Sequence, residues 1–299
     1  MSMRLKSLFG MLLTVSGICW FLRCVYANRK VTIVIYHDPE PALFDAHLAY
    51  FTSRYNVIPF SRFFDCHQQR DLRSLPPRSL VITFDDGHAR NFQLTESLRK
   101  HRVSPLLYLC SQIVGTNRRF WWQSEAASRL GIEQLKSLPD EERRERLVGA
   151  GFLQTEEQPV ADALSSAQLD VMRDVFEFGA HTRFHPILTR CTDQRCQEEI
   201  AGARSEISEA IGSECLHFAY PNGNYGERET TLVANAGYAS GRTIDVGWNC
   251  ERTDPYRFKI MPVDDRSSVW WLKAQLTGIP ALLKNIIRHG RFTMKLVQH

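Results

Sequence analysis

The stretch that most constrains this chain is Leu80-Val81-Ile82-Thr83-Phe84, followed at once by Asp85-Asp86-Gly87-His88. An apolar run with β-branched residues reads as a buried strand. Two adjacent carboxylates and a glycine at its end deliver charge to the rim of a sheet or barrel, where α/β folds keep their chemistry. Taken alone, the stretch reads equally well as a polar turn with an Asp capping the next helix. That reading carries about half the weight, because Asp and Gly are common in turns.

Other strand ends tip the balance. Val31 to His37 is a strand finishing in Tyr36, His37 and Asp38. Val175 to Ala180 runs into His181-Thr182-Arg183-Phe184-His185-Pro186, and Leu216 to Tyr220 breaks at Pro221-Asn222-Gly223. Further strands are expected at 56–59, 103–113, 238–244 and 258–263. Helices are expected at 44–51, 60–67, 91–101, 191–212 and 227–236, the last closed by Gly237. Strand, helix, strand between 80 and 113 is a βαβ unit, so the sheet is expected to be parallel. Residues 116–170 interrupt this rhythm with Phe120-Trp121-Trp122 and a charged run from Asp140 to Arg146. They read as a helical insertion on the barrel. The aromatics suit a sugar ring, but buried packing is favoured by about two to one. Ser165 and Gln168 form a capping box for the next helix.

With 299 residues, 43% hydrophobic and 23% charged, the chain suits one large α/β barrel or two ordinary domains. A net charge of only +4, without interleaved basic and aromatic residues, argues against a nucleic-acid partner. Cys191 and Cys196 lie near His185 but have no second pair at zinc-knuckle spacing, so the eight cysteines read as structural thiols. The ends differ from the middle. Leu8 to Leu22 is an apolar segment of about fifteen residues, short of the ~20 that span a bilayer. It fits a signal-peptide core, a membrane-surface anchor or an imperfect span. Arg23, Arg29 and Lys30 disfavour export, so an uncleaved membrane-associated segment is expected over 1–30. After Ser267, apolar residues from Trp270 to Ile287 accompany Lys284, Arg288, Arg291 and Lys295 on one helical face. This basic amphipathic tail, 267–299, reads equally as a membrane-surface helix or as a helix packed on the barrel.

The chemistry gathers around the histidines. His181 and His185 share one face if their segment is helical and can then share a metal. A catalytic site of zinc type needs three protein ligands and an open position for water. A strand-end carboxylate from Asp85 or Asp86 supplies the third, and the other is then free to act as general base.

Thr83-Phe84-Asp85-Asp86-Gly87, His181 to Pro186 and Phe218-Ala219-Tyr220-Pro221-Asn222-Gly223 resemble, in order and spacing, the first three motifs of polysaccharide deacetylases of the NodB-homology type. Tyr36-His37, Glu177 to His181 and Ala236-Gly237-Tyr238 are similar to the bacterial exopolysaccharide branch. The resemblance covers roughly residues 31–265. It implies an α/β fold, a distorted (β/α) barrel of fewer than eight units, occupying 31–266. It implies one divalent metal, commonly zinc, on Asp86, His181 and His185, with Asp85 as general base and the Asn222 backbone N–H as oxyanion donor. The implied reaction removes N-acetyl groups from amino sugars of a polysaccharide or lipid-linked glycan. Hydrolysis of another non-peptide C–N bond or an O-acetyl ester, or a catalytically weak glycan-binding barrel, are the alternatives. The expected partners are an N-acetylated glycan, a membrane surface met through both termini, and glycan-synthesis proteins. The expected location is membrane-associated, on the cytoplasmic face or in the cell envelope of a bacterium.

Three departures from the family pattern stand out. Ala219 occupies the place of an Arg that orients the base. Asp245 to Trp248 is a loose echo of the fourth motif. The fifth motif, which ends in a His that protonates the leaving amine, is missing, leaving His37 or Asp264 as candidates for that role. His88, where an aromatic residue is more usual, reads as a variant.

Overall fold

The computed structural model describes residues 2–289. Eight strands form one parallel sheet: β1 Thr32–Tyr36, β2 Asn56–Val57, β3 Ser79–Phe84, β4 Leu106–Leu109, β5 Glu177–Ala180, β6 His217–Ala219, β7 Ser240–Val246 and β8 Phe258–Pro262. β1 pairs with β3 on one edge and β8 on the other, so seven strands close into a barrel. β2 pairs with only the first two residues of β3.

Closure explains the strand composition. β1 and β3 are buried at every position, as expected for parallel strands covered on both faces. Their alternation divides the core in two. Ile33, Ile35, Val81, Leu106, Tyr108 and Ile260 pack together as one cluster, while Val34, Tyr36, Ile82, Phe84, Leu107 and Phe218 pack in another with the surrounding helices. Phe60, Phe63 and Phe64 of the helix Phe60–Gln68 join the first cluster beside Phe258 and close the barrel end away from the catalytic strand ends. Truncating one such buried Phe to Ala typically costs about 3–5 kcal/mol.

The insertion is helical, with helices at Glu125–Leu130, Ile132–Ser137, Asp140–Gly149 and Ser166–Met172. The first three surround a small core of Trp121, Ala126, Ala127, Leu135, Leu147 and Phe152. The Ser165–Gln168 capping box forms as expected. Phe120 and Trp121 are buried, whereas Trp122 is only partly covered.

The N-terminal helix meets the segment that follows the barrel. Helix Met3–Val15 lies along helix Val269–Gln275 so closely that a Cβ on Gly10 would stand 1.9 Å from the Trp270 carbonyl oxygen. Leu13, Cys19, Trp271 and Ala274 form the shared core. The tail breaks at Gly278 and resumes as Ile279–His289, with Pro280 in its first turn, a position that lacks no backbone bond when proline fills it. Arg291 and Lys295 of the expected basic face lie outside the described residues, as does the Arg288 side chain. No single described helix is long and apolar enough to cross a membrane. Met3–Val15 and Ile18–Tyr26 meet that test only together, bent by 68°.

Candidate active site

Six of the residues singled out from the sequence line one cleft of about 550 Å³. Each stands where a strand ends: His37 after β1, Asp85 and Asp86 after β3, His181 and His185 after β5, Asn222 after β6. Parallel strands all point the same way, so their C-terminal ends converge on one rim.

The Asp-Asp-Gly turn is held in a backbone form that few residues adopt. Asp86 has φ +73° and Gly87 φ +86°. A Cβ on Gly87 would lie 2.7 Å from Val114 and 2.9 Å from Leu109, so only glycine fits. The Asp85 N–H donates to the Tyr36 carbonyl at 3.0 Å, which ties this turn to β1.

The histidine segment is not helical, contrary to the expectation from its i, i+4 spacing. It is a loop with left-handed backbone at Thr182 (φ +66°) and His185 (φ +57°). Tertiary contacts override the spacing. The buried Glu199 carboxylate accepts from the Arg183 and Phe184 N–H groups at 2.8 and 2.9 Å. The His185 N–H donates to Thr182 Oγ1 at 3.0 Å, and Trp121 Nε1 donates to the His185 carbonyl at 3.0 Å. The loop thereby aims both imidazoles at Asp86. His181 Nε2 is 3.6 Å and His185 Nε2 3.5 Å from Asp86 Oδ1.

These three groups fit a cation. Candidate ligand atoms of Asp86, His181 and His185 all lie within 4.8 Å of one another. His181 Nδ1 lies 2.8 Å from the Ala219 carbonyl, to which it donates, leaving a lone pair on Nε2 facing the carboxylates. Asp86 Oδ1 is buried and has no hydrogen-bond partner, an arrangement costly unless something positive sits there. Burial lowers the pKa of both imidazoles despite the nearby carboxylates, that of His185 to about 3, so both are neutral, the ligating form.

Two further residues act on the carboxylates, and sequence reading missed both. The buried Arg242 guanidinium on β7 contacts Asp85 directly. Burial would raise the Asp85 pKa, but Arg242, with His181 and His37 adding to it, outweighs that and holds the carboxyl below the usual range. Arg242 thus provides the cation that Ala219 does not. An Arg among small uncharged residues in an expected strand, Ser240-Gly241-Arg242-Thr243, was the available signal. His88 is more than a variant: its Nε2 lies 3.1 Å from Asp86 Oδ2, fixing the oxygen that faces away from the histidines. Burial opposes a charge on His88, but the Asp86 hydrogen bond raises its pKa.

The remaining candidates separate. His37 is exposed at the cleft rim, its N–H donating to Asp265 at 3.3 Å and its carbonyl accepting from Asn91 at 2.8 Å. Asp264 does not line the cleft and pairs with Lys6 at 3.5 Å. Trp248 is buried against Tyr26, 5.2 Å between ring centroids, so the loose fourth-motif echo does not bring its Trp to the site. Trp122 does reach the cleft, 4.3 Å from the His185 ring. Cys191 and Cys196 are free and buried, and burial pushes the Cys196 thiol up to about 12, which disfavours the thiolate a metal needs.

A closed parallel barrel with two carboxylates and two imidazoles gathered on its C-terminal strand ends is an α/β-barrel hydrolase. A model of the polysaccharide deacetylase family matches residues 73–241, more than half of the 299 residues, and the chain belongs to that family. It is accordingly a carbohydrate deacetylase, a hydrolase of non-peptide carbon–nitrogen bonds. No curated protein matches the chain. Among solved structures, the deacetylase PplD of Streptococcus pyogenes is 16% identical with a TM-score of 0.61, over 83% of this chain and 98% of that one. A de-N-acetylase from Aggregatibacter actinomycetemcomitans is 14% identical with a TM-score of 0.60, over 82% and 99%. IcaB from Ammonifex degensii is 15% identical with a TM-score of 0.59, over 83% and 97%. At these identities the likeness concerns the fold.

Proposed function

We propose that this protein is a metal-dependent de-N-acetylase of amino sugars in a polysaccharide or lipid-linked glycan, of the exopolysaccharide type. The observation that carries the reading is the convergence of Asp86 Oδ1, His181 Nε2 and His185 Nε2 within 3.6 Å contacts, with Asp85 beside them. Asp86, His181 and His185 would hold one divalent cation, most simply Zn²⁺. When bound, that cation polarises the acetyl carbonyl and makes water acidic enough to attack at neutral pH. Asp85, kept as a carboxylate by Arg242, takes a proton from the attacking water. The Asn222 N–H donates to the oxygen that gains charge as the carbonyl carbon becomes tetrahedral. His37 gives a proton to the sugar nitrogen as the C–N bond breaks, so the products are acetate and a free amine. The protein works at a membrane surface, a reading supported by the exposed Leu5, Leu8, Leu12, Trp20 and Phe21 near its N-terminus.

The test is direct. Purified protein should bind about one divalent metal and release acetate from N-acetylglucosamine oligomers. Asp85→Asn should abolish release while retaining the metal. Absence of acetate from every N- or O-acetylated glycan tried would sink the proposal. The alternative of an idle glycan-binding barrel would win if Asp85→Asn protein complemented a deletion strain. Against it stands the presence of both carboxylates, Asp85 and Asp86, beside the two imidazoles.

A further inference from the structure

The cleft shares a wall with a neighbouring cavity. This second cavity is a groove of about 880 Å³ between helix Met3–Val15, helix Val269–Gln275 and helix Ile279–His289. Pro262, Val263, Ala281 and Lys284 line both cavities, so the two share one wall. The groove's other walls are largely apolar, with Phe9, Trp271 and Leu283 facing into it. At its outer side the groove meets the N-terminal helix, whose Leu5, Leu8 and Leu12 are exposed.

This juxtaposition has a chemical meaning. A purely sugar polymer has no apolar part to fill such a groove, and an unfilled apolar groove in water is unfavourable. A molecule fits both cavities if it carries an N-acetylated sugar at one end and a hydrocarbon chain at the other. The seam between them also has a charge. Lys284 is exposed, lines both cavities and makes no ion pair with a described residue, so its ammonium is available to an anionic group joining sugar to chain.

We propose that the substrate is a lipid-linked amino sugar. Its N-acetylhexosamine sits in the cleft, its phosphate meets Lys284, and its hydrocarbon chain lies in the groove between the N-terminal helix and the segment that follows the barrel. This inference rests on the deacetylase reading and narrows its substrate. It also gives the packing of the termini a role: helices Met3–Val15 and Val269–Gln275 build one wall of a binding site.

The experiment compares substrates that differ only in the chain. N-acetylglucosamine and N-acetylgalactosamine 1-phosphates are prepared as methyl and as farnesyl phosphodiesters, and acetate release by the full-length, metal-loaded protein is followed. The farnesyl compound of the preferred sugar should show kcat/KM at least about ten-fold above its methyl counterpart, a difference well within the reach of a few buried methylenes. Leu283→Glu puts a charge in the groove at a side chain that is 43% exposed, so folding is not at stake. It should abolish the farnesyl advantage and leave methyl-ester rates unchanged, and Phe9→Ala should reduce the advantage. Equal rates on farnesyl and methyl compounds would overturn the proposal. So would Leu283→Glu lowering both rates alike, or weakening binding to phosphatidylglycerol vesicles while the farnesyl preference persists, since the groove would then serve a membrane or a protein. Acetate from N-acetylglucosamine oligomers but none from the farnesyl compounds refutes this inference alone. Acetate from no substrate refutes the deacetylase reading beneath it.

Discussion

Asp85 and Asp86 are neighbours in sequence with different surroundings. Asp86 faces two neutral imidazoles and a His88 hydrogen bond, while Asp85 faces the Arg242 guanidinium. A buried charge pair of this kind contributes mainly by not being broken. Removing the cation leaves Asp85 buried and unpaired, which typically costs about 3–5 kcal/mol. Arg242→Leu is therefore expected to lower the denaturant midpoint sharply. Arg242→Lys is the more informative variant. It keeps the charge but loses the planar fork that fixes the carboxylate. We expect kcat to fall about 10–100-fold, with KM changed less than about 3-fold, because the loss falls on orientation of the base and not on substrate binding. A kcat near the parent value in steady-state assays would show that Arg242 contributes only to folding. The sequence showed that two carboxylates end a strand. It did not show which would meet Arg242, because the partners are 157 positions apart.

Elements position the site through contacts of the same long range. Helix Asp193–Ile211 carries no residue that lines the cleft, yet its Glu199 holds the histidine loop by two backbone N–H groups and is itself paired with Arg195 at 2.6 Å. Partners that orient ligands typically account for 10–100-fold in metal affinity. Glu199→Gln should therefore weaken zinc binding by about that factor in a competitive chelator titration, with the far-ultraviolet circular dichroism unchanged. Unaltered affinity would mean that Trp121 and Thr182 suffice to hold the loop. The strands and the helices between them follow from local apolar periodicity, so the sequence reading located most of them to within a few residues. The His181–His185 segment did not follow, because its left-handed turns are imposed by Glu199 and Trp121 from elsewhere in the chain. Spacing alone pointed to a helix there.

At the scale of the whole molecule, barrel closure buries groups that water would otherwise solvate. His217 opens β6 between Phe60 and Phe64, with ring centroids 4.6 and 5.0 Å away, and its Nδ1 lies 3.0 Å from Ser240 Oγ. Burial lowers its pKa to about 4, against about 6.5 in an unfolded chain. Between these values the unfolded state binds more protons than the folded one, so stability rises with pH across that window and is lost as pH falls through it. The group contributes up to about 3 kcal/mol of stability above pH ~6.5 that is absent below pH ~4. Urea midpoints measured from pH 7 to 4 should decline, and His217→Leu should flatten part of that decline. A parallel decline in the variant would assign it to the other buried histidines. The same tertiary packing brings Lys6, Phe9, residues 262–264, Trp271, Leu283 and Lys284 around one groove, an arrangement no local pattern could reveal. By itself, the sequence determined the chemistry available: apolar strands ending in Asp, His and Asn, and apolar segments with basic residues near both termini. Tertiary structure alone decided how that chemistry is shared out, namely which carboxylate Arg242 holds, how the histidines turn, and that the N-terminal helix and the segment after the barrel join beside the cleft. The physical reason is that periodicity and turn chemistry are local, whereas a buried charge takes its partner, and a cavity its walls, from wherever closure brings the chain together.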